Sequence, residues 1–110
     1  MDLFFINFRN CKLEDGAFKN GAFDGIQKTF GVQITFEGMN ISHLDEGVFN
    51  KFLNVTSYSI ALFGDSTIDC DDCKNYWLVK NGKQDQVRFA HCKSDLQKTL
   101  FDVDIKAKLM

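Results

Sequence analysis

The sequence predicts a mixed α/β domain built as a short solenoid of about three coils, each with a strand, a bend and a short helical return. Residues 32–62 carry the pattern most clearly. Ile34-x-Phe36 has the two-residue spacing of a strand, whereas Phe49, Phe52 and Val55 recur every three residues, as in a helical or 3₁₀ turn. A unit of this kind cannot bury its apolar side alone, so it needs neighbours of the same shape.

Neighbouring copies of this unit are present on both sides. The strand spacing recurs at Ile6-x-Phe8 before the central unit and at Ile60-x-Leu62 after it. The return recurs as well, because Gly21-x-Phe23 matches Gly47-x-Phe49. Ile6, Ile34 and Ile60 are therefore expected at equivalent positions of parallel, neighbouring strands. The predicted strands are residues 5–10, 32–37 and 58–63, and the predicted convex returns are residues 14–30 and 42–56.

This repeated pattern resembles the extracellular type of leucine-rich repeat protein, whose motif L-x-x-L-x-L-x-x-N/C-x-L has a period of roughly 20–29 residues. Ile, Phe and Val replace many of the leucines. Cys11 and Asp65 occupy the Asn/Cys position of the first and third units, and Met39 departs from it in the second. The resemblance implies repeats over residues 1–68, a parallel concave sheet, and a buried, reduced Cys11 inside the first coil.

Residues 69–110 resemble the cysteine-containing cap that closes such solenoids within the same domain. Cys70 and Cys73 precede Trp77-Leu78, and Cys92 follows. The resemblance implies a Cys70–Cys92 disulfide and a Trp77 that packs over the last coil from a short helix at 74–80. Cys73 is then free, or it pairs with Cys92 instead.

The rest of the cap carries shorter signals. Residues 87–90 predict a brief strand. Ser94-x-x-Gln97, followed by Leu100 and Phe101, predicts a capped final helix.

Composition and motifs exclude several classes of function. The net charge of −2 and the absence of a basic run leave no electrostatic footprint for nucleic acid. No stretch approaches the roughly 18 apolar residues that a membrane span requires. No nucleophile–base motif or phosphate-binding loop is present, so we expect no catalytic residue and no cofactor.

Two sequons are compatible with a secreted or extracellular protein. Asn40-Ile-Ser42 and Asn54-Val-Thr56 make Asn40 and Asn54 candidate glycosylation sites. The family resemblance also implies an extracellular location.

The predicted binding surface is the concave face of the sheet, formed by residues that alternate with the buried apolar ones. Repeat proteins bind macromolecules on such extended faces, and aromatic residues together with Arg are typical interface anchors. We therefore expect a protein partner there. The predicted face consists of Phe5, Asn7, Arg9, Gln33, Thr35, Glu37, Ser59, Ala61 and Phe63.

Two alternatives compete with this interpretation. Cys70, Cys73 and Cys92 could form a zinc site with His91, or a redox dithiol, although adjacent ligands rarely reach one metal and the flanking acids disfavour a reactive thiolate. Alternatively, the chain is a structural or self-associating solenoid whose uncapped N-terminal coil stacks on another chain. The first coil carries no cysteine-containing cap like the one at the other end. Either Phe4 and Phe5 cover its apolar interior instead, or the chain is a fragment of a longer repeat protein.

Overall fold

A computed structural model describes residues 4–11, 18–23 and 31–100. The chain has a mixed α/β fold around a four-stranded parallel sheet, with a second sheet of two short strands beside it. The strands are β1 (Phe4–Arg9), β2 (Val32–Glu37), β3 (Asn40–Ile41), β4 (Tyr58–Phe63), β5 (Thr67–Ile68) and β6 (Val87–Arg88), and the helices are α1 (Glu46–Leu53) and α2 (Tyr76–Lys80).

The predicted strand register is confirmed. The larger sheet has the order β1-β2-β4-β6, and all its neighbours run parallel. Ile6 lies beside Ile34, and Ile34 lies beside Ile60. The period of two then places every second side chain of each strand on the same face of the sheet.

The core lies on the face that carries these isoleucines. Ile34, Phe36 and Ile60 are completely buried, and aromatic rings from successive strands and returns pack against one another. Phe8 stacks on Phe36 with ring centroids 5.5 Å apart, and Phe23 stacks on Phe49 at the same distance. Stacked pairs of this kind add to the free energy gained by burying the rings.

A left-handed turn follows each of the first three long strands. Asn10, Gly38 and Gly64 have φ angles of 52°, 65° and 63°. Glycine adopts this conformation without a steric penalty, and asparagine tolerates it better than most residues. The Asn10 amide donates to the Glu37 carbonyl at 3.0 Å, and the Gly38 amide donates to the Phe63 carbonyl at 3.3 Å.

The return after β2 contains α1, as the three-residue spacing predicts. Phe49 and Phe52 are buried on its inner side. Val55, the third residue of this spacing, is 41% exposed. The helix ends at Leu53, so Val55 lies beyond its C-terminal cap and the spacing no longer directs it towards the core.

The polar position after the strands lies one residue later than the motif predicts. Asp65 is exposed, whereas Ser66 is buried. The Met39 amide donates to the Ser66 hydroxyl at 2.9 Å, and this hydroxyl donates to the Phe36 carbonyl at 3.1 Å. Ser66 thus satisfies main-chain groups of the second unit, where Met39 has no polar side chain to do so.

The Cys70–Cys92 disulfide and the short helix carrying Trp77 are both confirmed. The Trp77 indole donates to the Leu44 carbonyl at 2.8 Å and covers the end of the core. Cys73 is a free, exposed thiol. Cys11 is a free thiol, as predicted, but the prediction that it is buried is wrong, because Cys11 is exposed. Its thiol donates to the Arg9 carbonyl at 3.1 Å.

The remaining cap elements agree only in part. The brief strand is confirmed as β6, which joins the large sheet beside β4. The predicted helix after Ser94 is not formed over residues 94–99. Leu100 is in a 3₁₀ conformation, and the predicted continuation through Phe101 lies outside the described residues. His91 instead forms an antiparallel bridge with Thr99, and the Cys92 amide bonds to the Lys98 carbonyl, so the chain turns back on itself. Within the described segments, no helix combines the length and the apolar character needed to cross a bilayer.

Candidate functional site

The sheet face opposite the core, which we call the outer face, carries the residues predicted for the concave surface. The strand register places them in rows across β1, β2 and β4. The rows are Phe5–Gln33–Ser59, Asn7–Thr35–Ala61 and Arg9–Glu37–Phe63.

The nine residues share the outer face as predicted from the alternation, but the middle of this face is buried. Gln33, Thr35 and Ser59 are 6–8% exposed, and Ala61 is completely buried. The Gln33 amide nitrogen donates to the Thr35 hydroxyl at 3.2 Å, and the Ser59 hydroxyl donates to the Gln33 amide oxygen at 3.4 Å. These side chains satisfy one another in the centre of the sheet, where neighbouring strands flank them on both sides. They offer little surface to a partner.

The residues along β1 and at the strand ends remain at the surface. Phe5, Asn7 and Arg9 are exposed, and Phe63 is 38% exposed. Arg9 Nε lies 2.9 Å from Glu37 Oε2, with the two side chains 70% and 45% exposed. A surface ion pair of this kind contributes about 0–1 kcal/mol to stability, so its main effect is to orient the two side chains.

Two further residues of the outer face were not predicted from the sequence. β6 extends the sheet beyond β4 and places Arg88 beside Ala61 in the second row. Phe89 follows directly, is 54% exposed, and has its ring centroid 5.2 Å from that of Phe63. The strand signal at 87–90 locates this segment, but it does not indicate which way Phe89 points.

Phe89 owes its position to an unusual backbone conformation. Its φ angle is 58°, in the left-handed region that bulky residues rarely adopt. Such a conformation costs roughly 1–2 kcal/mol and persists only where the surrounding structure holds it. Here the strain accompanies an exposed aromatic ring in contact with a second exposed ring.

We call Phe63, Arg88 and Phe89 the aromatic patch. A cleft beside it is lined in part by Val87, Ala90 and Leu100, which are buried apolar residues. The Arg88 side chain is exposed and has no ion-pair partner in the described parts of the chain. The patch therefore offers two apolar rings, a cleft and a positive charge.

The cysteines of the cap are not arranged as a metal site. The disulfide consumes Cys70 and Cys92, two of the three thiolates that the zinc alternative requires. The His91 Nδ1 atom lies 3.0 Å from the Leu96 carbonyl. No group of three or more potential ligands occurs within the residues that the structure describes.

Both candidate glycosylation sites lie at the surface. Asn40 accepts a hydrogen bond from the Thr67 hydroxyl, and Asn54 accepts one from the Lys83 ammonium group. Both hydrogen bonds are accepted by the amide oxygen. A glycan is attached to the amide nitrogen, so neither bond involves the atom that would be modified.

Comparisons with known proteins give no match to this chain, whether with protein-family models, curated proteins or solved structures. The aromatic patch, the open part of the outer face and the cap are thus the features from which a function can be inferred.

Proposed function

We propose that this chain is a non-catalytic protein-interaction module of leucine-rich-repeat type, which binds a protein partner on its outer face. The observation that carries the proposal is the contact between Phe63 and Phe89, two rings that remain 38% and 54% exposed while touching each other. Aromatic residues and Arg dominate the binding energy of protein interfaces, and the aromatic patch supplies both.

Equivalent contacts between successive units support the repeat architecture. The Gly21 amide donates to the carbonyl of its counterpart Gly47 at 2.9 Å, and the Phe23 ring stacks on its counterpart Phe49. The left-handed turns after β1, β2 and β4 also correspond. These contacts favour a stack of strand-and-return units over residues 1–68, closed by a cap over residues 69–110.

The exposure of the aromatic patch supports a binding role for it. Burying apolar surface is worth about 25 cal/mol per Å², so exposed rings represent free energy that a partner can recover. Phe89 contacts Phe63 while its backbone is in a left-handed conformation. Strained residues of this kind cluster at functional sites.

The chemistry of the patch suggests what the partner presents. An apolar side chain would fit against the two rings and the cleft beside Phe89, which is lined by Val87, Ala90 and Leu100. Arg88 adds a donor for a carboxylate or a main-chain carbonyl at the edge of the same surface. We therefore propose a protein partner with an apolar anchor next to an acidic or carbonyl group.

The disulfide supports an extracellular location as part of the proposal, because such bonds persist in oxidising compartments. Glycan attachment at Asn40 or Asn54 would agree with it. Expression in a secreting eukaryotic cell, followed by mass measurement before and after enzymatic removal of N-glycans, tests both. A chain that enters the secretory pathway with neither asparagine modified contradicts the glycosylation part.

The binding proposal can be tested by comparing matched surface variants. Phe63→Ser with Phe89→Ser removes the patch, whereas Val55→Ser with Leu96→Ser removes exposed apolar side chains elsewhere, 41% and 63% exposed in the folded chain. Proteins captured from extracellular fluid with the unaltered chain are identified, and each candidate is purified. Its affinity is then measured for the unaltered chain and for both double variants.

We expect the purified partner to bind the unaltered chain and the Val55/Leu96 variant alike. Its affinity for the Phe63/Phe89 variant should fall about 30-fold or more, as for the loss of an interface hot spot. Equal affinity for all three proteins, or a loss confined to the Val55/Leu96 variant, would place the binding surface elsewhere.

A further inference from the structure

Among the described residues, β1 is the one strand of more than two residues that lacks a strand neighbour on one side. β1 runs for six residues, Phe4–Arg9, and has a strand neighbour on one side only, namely β2. Its main-chain groups on the other side face outwards. Natural proteins protect such edges with Lys, Pro, bulges or very short strands, because an open edge pairs with other chains.

The positions of the outward main-chain groups follow from the bonds that β1 makes to β2. The Phe4 amide donates to the Gly31 carbonyl, and the Asn10 amide donates to the Glu37 carbonyl. In a parallel ladder the amide and carbonyl of every second residue point to the same neighbour. Ile6 and Phe8 therefore bond towards β2, whereas Phe5, Asn7 and Arg9 direct their amides and carbonyls to the open edge.

We infer that this edge pairs with the same edge of a second copy of this chain, in antiparallel orientation, with Asn7 facing Asn7 across a two-fold axis. In this register Phe5 faces Arg9 of the second copy, and Arg9 faces Phe5. Each of these opposed pairs exchanges two main-chain hydrogen bonds, about six in total. The inference concerns a different surface from the aromatic patch and does not depend on the proposed function.

The sequence of β1 favours this register over its neighbours. A shift of two residues in either direction loses one of the opposed pairs within Phe5–Arg9. A shift of four residues leaves a single opposed pair, Phe5 with Phe5 in one direction and Arg9 with Arg9 in the other. The like charges of two opposed Arg9 side chains are also destabilising. With Asn7 on the axis, each Arg9 instead lies across from a Phe5 ring, where a cation–π contact is available.

The burial of β1 agrees with a missing neighbour. Ile6 and Phe8 are only partly buried, whereas their counterparts Ile34 and Phe36 are completely buried. In the proposed register Ile6 lies beside Phe8 of the second copy on the core side. Pairing therefore continues the apolar side of the sheet as well as its hydrogen-bond ladder.

Asn7→Pro gives a selective test. The Asn7 amide points away from β2, so proline removes a bond to the second copy but none within the chain, and edge strands tolerate proline at such positions. Asn7→Thr keeps the amide and suits a strand, so it serves as the matched control. Sedimentation equilibrium of the three proteins at several concentrations measures the association constant.

We expect the unaltered chain and Asn7→Thr to form dimers that dissociate on dilution, and Asn7→Pro to associate about tenfold or more weakly. A chain that stays monomeric at millimolar concentration overturns the inference. So does an Asn7→Pro protein that dimerises as strongly as the unaltered chain, since its dimer would use another surface.

A cross-linking experiment decides the register even if Asn7→Pro fails to fold. Asn7→Cys is introduced with Cys11→Ser and Cys73→Ser, which remove the free thiols. Facing residues of a hydrogen-bonded antiparallel pair lie about 5.5 Å apart at Cα, within the range that a disulfide spans. Rapid oxidation to a covalent dimer is expected, and exposed Lys93→Cys in the same background serves as control. Equal or faster dimer formation by the control contradicts the register.

Discussion

The two edges of the large sheet differ in what covers them. Beyond β4 lies the short strand β6, and Cys92 of the Cys70–Cys92 disulfide follows it in the chain. Trp77 of α2 packs against the core at the same end. Beyond β2, the long strand β1 has no further strand within the described residues. Side chains at corresponding positions reflect this, because Phe36 is completely buried and Phe8 only partly. The alternation within each strand therefore sets which residues face the core, while the neighbouring element of the sheet decides how deeply they are buried.

The covered end is held by polar contacts as well as by packing. The Asn75 side chain is 1% exposed and accepts a hydrogen bond from the Leu44 amide at 2.9 Å. Its amide nitrogen donates to the carbonyls of Ser42 and Asp69 at 2.9 and 2.8 Å. One side chain thus joins the second return to the entry of the cap. In the described part of the chain, no buried polar side chain forms a comparable set of hydrogen bonds at β1.

The largest expected effect compares Trp77→Ala with Phe8→Ala. Trp77 fills a buried position and bonds to the Leu44 carbonyl, so its truncation should lower the free energy of unfolding by about 3–5 kcal/mol. Phe8 is only partly buried, so its truncation should cost about 1–2 kcal/mol. Urea unfolding measures both. Equal losses, or a larger loss for Phe8, would contradict the contrast between the two ends.

The next effect concerns the disulfide of the covered end. Cys70→Ala with Cys92→Ala should lower the free energy of unfolding by about 3 kcal/mol, because the bridge constrains the unfolded chain across a sequence separation of 22 residues. Cys11→Ala with Cys73→Ala should change it by less than about 0.5 kcal/mol, since both thiols are exposed and neither belongs to a disulfide.

Counting thiols checks the same assignment without a mutation. The denatured, unreduced protein should show two free thiols, and a chelator should leave its unfolding curve unchanged. Four free thiols together with unfolding by a chelator would favour a metal site at Cys70, Cys73 and Cys92.

A somewhat smaller effect is expected from Asn75→Ala. The change leaves the Leu44 amide and the Ser42 and Asp69 carbonyls without their partner, which should cost about 2–3 kcal/mol. Asn81→Ala, at an exposed asparagine just after α2, is the control and should cost less than about 0.5 kcal/mol. Similar losses of unfolding free energy for both variants would show that water replaces the hydrogen bonds of the Asn75 side chain.

The smallest expected effect distinguishes backbone strain from steric crowding at three glycines, two that follow strands and one that follows α2. Gly38, Gly64 and Gly82 all have positive φ angles, so alanine should cost about 1 kcal/mol at each. At Gly38 the added methyl group would also collide with Asn10 Oδ1, whereas at Gly82 it meets nothing within 4 Å. We expect Gly38→Ala to be the most destabilising of the three in thermal unfolding. Equal losses would mean that the Asn10 side chain moves aside freely.

Local spacing was enough to predict the three long strands, their parallel register and α1, but not the short strands β3 and β5. Ile6-x-Phe8, Ile34-x-Phe36 and Ile60-x-Leu62 recur on a common period, and side chains of that spacing must share a face. The Cys70–Cys92 bridge followed from the resemblance of the cap, and its geometry agrees. Both kinds of inference depend on features that are contiguous in the chain.

The missed features depend on contacts between distant segments. The burial of Thr35 and Ala61 arises from side chains in the neighbouring strands, which the alternation within one strand does not describe. Asn75 looks like an ordinary loop residue until the segments it joins are brought together. Phe89 adopts a backbone conformation that its own propensity disfavours, so no local rule could place its ring against Phe63.

Amide hydrogen exchange at single-residue resolution, at a concentration where the protein is monomeric, tests most directly that β1 is the open side of a parallel stack. The account predicts that the Ile6 and Phe8 amides are protected by their bonds to β2, while those of Phe5, Asn7 and Arg9 exchange freely. Ile34 and Ile60 should exchange most slowly. Uniform protection along β1, or protection of Phe5 and Asn7 with free exchange at Ile6 and Phe8, would contradict it.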